Sequence, residues 1–180
     1  MQTQLGRPVT LLTGAEHDAL IAELLSGEIA DDLDAYWPPH LGRELRQLRG
    51  FRTELREFLM RCEEHGIRAE DLRAYAIELE RPEWAAVAEF RDRAVAPQAA
   101  AHPDQFDSAE LVAFAARLLS DGVPQTGFAD VRVVLIDDAQ DATESTISLL
   151  RAWASRGVAV NAFGDPDVAS NGFRGGNADV

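Results

Sequence analysis

Val131-Arg132-Val133-Val134-Leu135-Ile136-Asp137-Asp138-Ala139-Gln140-Asp141 decides the fold, together with Val158-Ala159-Val160-Asn161-Ala162-Phe163-Gly164-Asp165-Pro166-Asp167 further on. Val131 to Ile136 is short, β-branched and apolar apart from Arg132, the pattern of a strand buried in a parallel sheet. Between the two stretches, Ile147, Leu150 and Trp153 mark the inner face of a helix over 143–156, closed by Gly157. Val158 to Phe163 is then a second buried strand, which completes a β-α-β unit. Both strands end in carboxylates: Asp137 and Asp138 after the first, Asp165 and Asp167 after the second. In open parallel sheets ligands bind outside the carboxyl ends of the strands, so the two acidic clusters are expected to face one site. Aspartate also caps helices and makes turns, so either cluster alone is equally well explained as local structure.

Upstream of this unit the chain reads as helical. Leu111, Phe114, Ala115, Leu118 and Leu119 fall on one helical face, with Asp107 and Glu110 spaced as an N-terminal cap. Ala94 to Pro103 is rich in alanine and proline without periodicity and reads as a linker or domain boundary. Helices are expected at about 69–79 and about 82–95, with Pro82 in a first turn and Trp84, Val87 and Phe90 in the core. Thr13 and Glu16 have capping-box spacing ahead of a helix over about 14–26. Gly27 to Leu41 is an acidic loop anchored by Trp37 and broken by Pro38 and Pro39. The expected fold is α/β: a mostly helical region over 1–104, then a partial parallel β-α-β unit over 105–180.

From Gly42 to His65 the apolar residues recur at helical spacing, with a bend or break expected near Gly50. Arg43, Arg46, Arg49, Arg52 and Arg56 lie three or four residues apart, a stripe along one side if the helix runs through. Such a stripe is either a phosphate-contacting surface or a solvated face with intrahelical ion pairs.

All 17 basic residues of the 180 are arginine. Without lysine, the chain can hold no Gly-Lys-Ser/Thr phosphate loop and no lysine Schiff base. A net charge of −14 argues against a whole-surface electrostatic fit to DNA while leaving room for a local basic stripe. The single cysteine, Cys62, and the lack of a signal pattern or of an apolar run of about 20 residues fit a cytoplasmic chain with no membrane partner. His17, His40, His65 and His102 all lie in the first part of the chain, away from the aspartates, so a histidine-based metal hydrolase is not indicated.

Leu135-Ile136-Asp137-Asp138-Ala139-Gln140-Asp141 resembles motif II of UvrD/Rep-type superfamily 1 DNA helicases. Gly164-Asp165-Pro166-Asp167 with Gly172-Phe173-Arg174-Gly175 resembles motif III of the same family. The resemblance implies a RecA-like motor that uses ATP and Mg²⁺ to move along DNA. Carried over by position, it implies that Asp137 holds the metal through its water shell and that Asp138 stands where the family has its catalytic glutamate. Gln140 belongs to the network that links motif II to motif III, and Asp165 and Asp167 lie on the nucleotide side. Phe173 takes the position of the aromatic that stacks on a base, beside Arg174, and Arg46, Arg49 and Arg52 offer a further DNA contact in the 1B-like region. The sequence departs from the pattern at Asp138, one methylene shorter than glutamate, at Val168 in place of a glutamine, and at Asn171 in place of a tyrosine. The resemblance therefore implies a piece of a larger ATP-dependent helicase acting in DNA repair or recombination, subdomain 1B plus the C-terminal part of 1A, inactive alone. Its expected partners are single- and double-stranded DNA, the remaining helicase domains and a second motor subunit, since it is most similar to the weaker motor of an actinobacterial two-motor helicase–nuclease. The alternative is a non-catalytic module with a degenerate ATP site that docks a partner motor.

Overall fold

The computed structural model describes residues 9–122 and 128–165. The described residues divide into two compact units, one of residues 10–62 and 66–107, the other containing 63–65, 108–122 and 128–165.

The first unit opens with β1 (Thr10–Leu11), which pairs in parallel with β2 (Gln105–Phe106). Backbone bonds from Thr10 to Asp104 and from Leu12 to Phe106, both 2.8 Å, tie its two ends side by side. Between them lie α1 (Gly14–Ala30), α2 (Arg43–Arg46), α3 (Arg49–Glu64), α4 (Ala69–Glu78), α5 (Pro82–Phe90), a π-helical turn at Arg91–Val95 and α6 (Ala96–Ala101). The capping box at α1 forms as expected: the Thr13 hydroxyl accepts from the Glu16 amide at 3.3 Å, and the Thr13 amide donates to Glu16 Oε2 at 2.8 Å. α1 runs past the expected end at 26 because Glu28 has partners to reach. Its carboxylate, buried, accepts from the Tyr36 hydroxyl at 2.5 Å and from Trp37 Nε1 at 3.4 Å. Trp37 is the aromatic anchor of the acidic loop, within 6 Å of the rings of Phe51 and Phe90. Ile21, Leu25, Leu55, Leu59, Leu72, Val87 and Phe90 complete the core around it.

One expectation fails here for a physical reason. Ala94 to Pro103 is no linker: the π turn and α6 carry the helix begun at Pro82 on to Ala101. Alanine is the strongest helix former, so an alanine-rich stretch without an apolar stripe can still be helix. Pro97 offers no N–H to the Arg93 carbonyl, and the wider π turn just before it absorbs that mismatch. The break between two helices expected near Gly50 forms there, at Gln47–Leu48 between α2 and α3, with Gly50 in the first turn of α3.

The second unit holds α7 (Ser108–Ser120), β3 (Val133–Ile136), a 3₁₀ turn at Ala139–Asp141, α8 (Glu144–Ser155) and β4 (Ala159–Ala162). β3 and β4 are parallel, with Val133 opposite Ala159 and Ile136 opposite Ala162. The Thr143 hydroxyl caps α8 by accepting from the Thr146 amide at 3.3 Å, and Gly157 leaves the helix at φ +83°, a conformation that favours glycine. α7 packs on α8, and α8 on β4. The architecture is α/β, mostly helical with short parallel strands. The strands themselves depart from the expected two-sided burial. Val134, Ile136 and Val160 are half-buried, whereas Val133 and Leu135, on the opposite face of the pleat, are 52% and 68% exposed. Among the described residues nothing covers that second face, although the residue types are those of a sheet covered on both. No helix among the described residues is long and apolar enough to cross a membrane.

Candidate functional site

The register of β3 and β4 brings Ile136 and Ala162 level, so the loops leaving the two strands run side by side. The Phe163 amide donates to the Ile136 carbonyl and the Ala139 amide to the Phe163 carbonyl, both at 2.9 Å. The acidic loop after β3 is thereby clamped to the end of β4.

Within that loop Asp137 turns its own carboxylate back: Oδ1 accepts the Asp138 amide at 3.0 Å. Asp138 adopts a left-handed backbone, φ +51° and ψ +44°, which aspartate tolerates better than most side chains. It starts the 3₁₀ turn that aims Gln140 across to the β4 loop. The Gln140 carboxamide then holds both sides at once. Nε2 donates to Asp138 Oδ1 at 3.3 Å, and Oε1 accepts the Asp165 amide at 3.1 Å. Gly164 makes that approach possible, since a Cβ there would overlap Gln140 Oε1 and stand 3.0 Å from the Ala139 nitrogen. Asp137, Asp138 and Asp165 are exposed, and Gln140 is half-buried.

Mg²⁺ in nucleotide sites is usually held by one or two carboxylates, with waters and phosphate oxygens completing its shell. The exposed Asp137–Asp138 pair at the carboxyl end of a parallel strand has that donor chemistry. Among the described residues no three His, Cys, Asp or Glu side chains gather to cage an ion.

The structure thus brings together Asp137, Asp138, Gln140 and Asp165. Asp167, Phe173 and Arg174, with the departures at Val168 and Asn171, lie outside the described residues. Gly164 is the contributor that residue chemistry did not single out; the available signal was a glycine immediately after the second apolar run.

The arginine stripe is corrected. Arg46 does not face solvent: it is 2% exposed, its Nη2 donates to Asp34 Oδ2 at 2.5 Å and its Nε to the Leu41 carbonyl at 3.0 Å. Its guanidinium also lies 5.2 Å over the Trp37 ring centroid. Arg43 bonds the same buried Asp34 at 2.6 and 2.9 Å and reaches Asp32 at 2.7 Å. These guanidinium bonds hold the Asp34 carboxyl down at about 2 despite its burial. Arg56 turns away to Asp18 and the Gly14 carbonyl, both at 3.0 Å. Arg49, exposed, and Arg52, half-buried with its Nε unpartnered, are the members of the stripe without an ion pair among the described residues. The break at Gln47–Leu48 and the acidic loop opposite α2 explain why the stripe dissolves, because Asp34 draws two arginines inward.

The family model described as the UvrD/REP helicase N-terminal domain matches residues 4–180. No curated protein matches the chain.

Proposed function

The chain belongs to the UvrD/REP helicase family, matched along the N-terminal domain, and on that premise we propose that it serves an ATP-dependent DNA helicase acting in repair or recombination. In this reading residues 1–104 are subdomain 1B and residues 105–180 the C-terminal part of the first RecA-like domain. The observation that carries it is the Gln140 carboxamide, hydrogen-bonded to Asp138 on one side and to the Asp165 amide on the other. A single side chain thus couples the acidic loop after β3 to the loop after β4, so that displacement of one loop is felt by the other. The face of β3 at Val133 and Leu135, without cover among the described residues, supports a sheet meant to be continued and covered.

Mg²⁺ bound with ATP would supply neutralisation of charge on the phosphates. The chain's own contribution is positional. Asp137 would offer a carboxylate oxygen to the ion, Asp138 would offer one to orient a water, and Gln140 holds the two loops together. The test is DNA-stimulated ATP hydrolysis by the parent polypeptide. Asp137→Ala should lower it by roughly a hundredfold or more, while Gln140→Ala should reduce the stimulation by DNA more than the basal rate. Hydrolysis unchanged by Asp137→Ala would refute the assignment.

One observation favours a second reading. The Asp138 carboxylate is a methylene shorter than glutamate and is tied at 3.3 Å to Gln140, and a misplacement of about 1 Å at such a group costs roughly a hundredfold in rate. On that view the site is degenerate and the chain docks a partner motor, as in the weaker half of an actinobacterial two-motor helicase–nuclease. Asp138→Glu in the parent separates the two: a rate raised tenfold or more supports degeneration, and an unchanged robust rate removes it.

A further inference from the structure

Away from the candidate site, the first unit buries an ionisable pair where its chain ends. His17, one turn into α1, places Nδ1 3.8 Å from Asp107 Oδ2, and the two side chains are 12% and 6% exposed. The other histidines, His40, His65 and His102, are exposed. Asp107 follows β2 directly and is the last residue of the first unit, and Ser108 begins α7 of the second. The strand pair that leads to it is slight. β1 and β2 contribute two residues each, β1 is exposed, and the bonds from Thr10 to Asp104 and from Leu12 to Phe106 tie them. A pair of strands this short is marginal by itself and persists only with support from its surroundings.

At 3.8 Å a neutral imidazole gives Asp107 no hydrogen bond, so the contact becomes an ion pair only once the ring carries a proton. Four influences bear on that proton. Burial opposes it most, and the Asp107 carboxylate favours it. The Arg56 guanidinium, which reaches over from α3 to bond Asp18 and the Gly14 carbonyl, opposes it, and Asp18 on α1 itself favours it. Burial and Arg56 prevail, so His17 gives up its proton more readily than an ordinary histidine. The packed ring is therefore the neutral one. A proton is accommodated more easily when the ring swings out to water, and what it then leaves behind is Asp107 at the end of β2.

We propose that His17 is a proton-sensitive latch on the exit from the helical unit: neutral, it packs against Asp107 and keeps the β1–β2 pair closed; protonated, it lets that pair open. A ring released to water takes up its proton around the ordinary value of 6.5, and the packed ring does so only at lower pH. The latch is thus fully shut above about pH 6.5 and weakens as pH falls below it. One linked proton lowers the ratio of closed to open by at most about tenfold for each pH unit.

Solvent exchange of backbone amides, followed by NMR on the full chain from about pH 7.5 to about pH 5 and corrected for the intrinsic rate, tests it. The reporter is the Leu12 amide, which donates to the Phe106 carbonyl, and the reference is the Leu72 amide, which donates to the Arg68 carbonyl in the same unit. Below about pH 6.5 the protection of Leu12 should fall several-fold for each pH unit while that of Leu72 holds, and the His17 imidazole should titrate below 6.5. His17→Phe and His17→Gln, neither of which takes a proton, should both flatten the Leu12 profile, and Arg56→Gln, which removes an opposing charge, should move it to higher pH. A Leu12 profile that keeps its pH dependence in both His17 variants, a His17 that titrates above 6.5, or a Leu12 amide without protection at neutral pH would overturn the proposal. Parallel loss of protection at Leu12 and Leu72 would mean general unfolding and overturn it equally.

Discussion

Gly164→Ala isolates the contact on which the candidate site depends. Gly164 does not have a positive φ, so alanine meets no backbone penalty there and the cost is purely steric. The new methyl would overlap Gln140 Oε1 and press on the Ala139 and Gln140 nitrogens at 3.0 and 3.3 Å. The Gln140 side chain can swing away, but it then gives up the Asp165 amide at 3.1 Å and Asp138 Oδ1 at 3.3 Å. Each such bond contributes about 0.5–1.5 kcal/mol net, toward the lower end at an exposed site, so the swing costs about 1–2 kcal/mol. The backbone neighbour cannot retreat as freely, because the Ala139 amide is committed to the Phe163 carbonyl at 2.9 Å. Hydrogen exchange at the Asp165 and Ala139 amides, read beside urea unfolding followed by NMR, resolves the two components. Asp165 should lose protection fully and Ala139 in part. A cycle with Gln140→Ala should be non-additive by about 1 kcal/mol, since alanine at 140 vacates the space the new methyl needs. Additivity within about 0.3 kcal/mol, or an Asp165 amide whose exchange does not change, would refute the reasoning.

Asp34→Asn should cost about 3–5 kcal/mol, because it leaves the Arg46 guanidinium, 2% exposed and already with one unpartnered nitrogen, as a buried charge without its counter-ion; thermal unfolding measures this. The same carboxyl predicts acid sensitivity. Its folded pKa of about 2 lies below the ordinary 3.8, so as pH falls the unfolded chain takes the proton first, and stability present above about pH 4 is lost as pH approaches 2. The loss is on the order of 2 kcal/mol and should be absent from Asp34→Asn. On the DNA side, an Arg49→Ala, Arg52→Ala double variant should weaken a low-salt complex with duplex DNA and flatten the log K against log salt plot by up to about 2, at about 0.9 for each phosphate no longer neutralised; identical slopes for both proteins would return these arginines to ordinary solvation.

Where the physics is local, the residues were legible. Thr13 and Glu16 foretell their capping box because both partners lie within one turn, and the apolar runs around 133 and 159 foretell two parallel strands because short β-branched runs with a helix between them fit little else. The acidic loop ends could be named from the same runs, but the Gln140 bridge could not, because it joins residues 25 apart through a side-chain rotamer and the absence of one Cβ. The arginine stripe misleads for a related reason. Helical spacing says that Arg43, Arg46 and Arg49 share a side; it is silent on Asp34, which lies outside the helix and is brought against it by burial of Trp37. In a chain whose every cation is arginine, internal ion pairs with a forked donor are the default, and a guanidinium that reaches a buried carboxylate gains more than one that waits for a phosphate. The informative arginines are therefore those left over, and Arg49, exposed at the start of α3 with no acidic partner among the described residues, is the one whose removal most directly tests a contact with DNA.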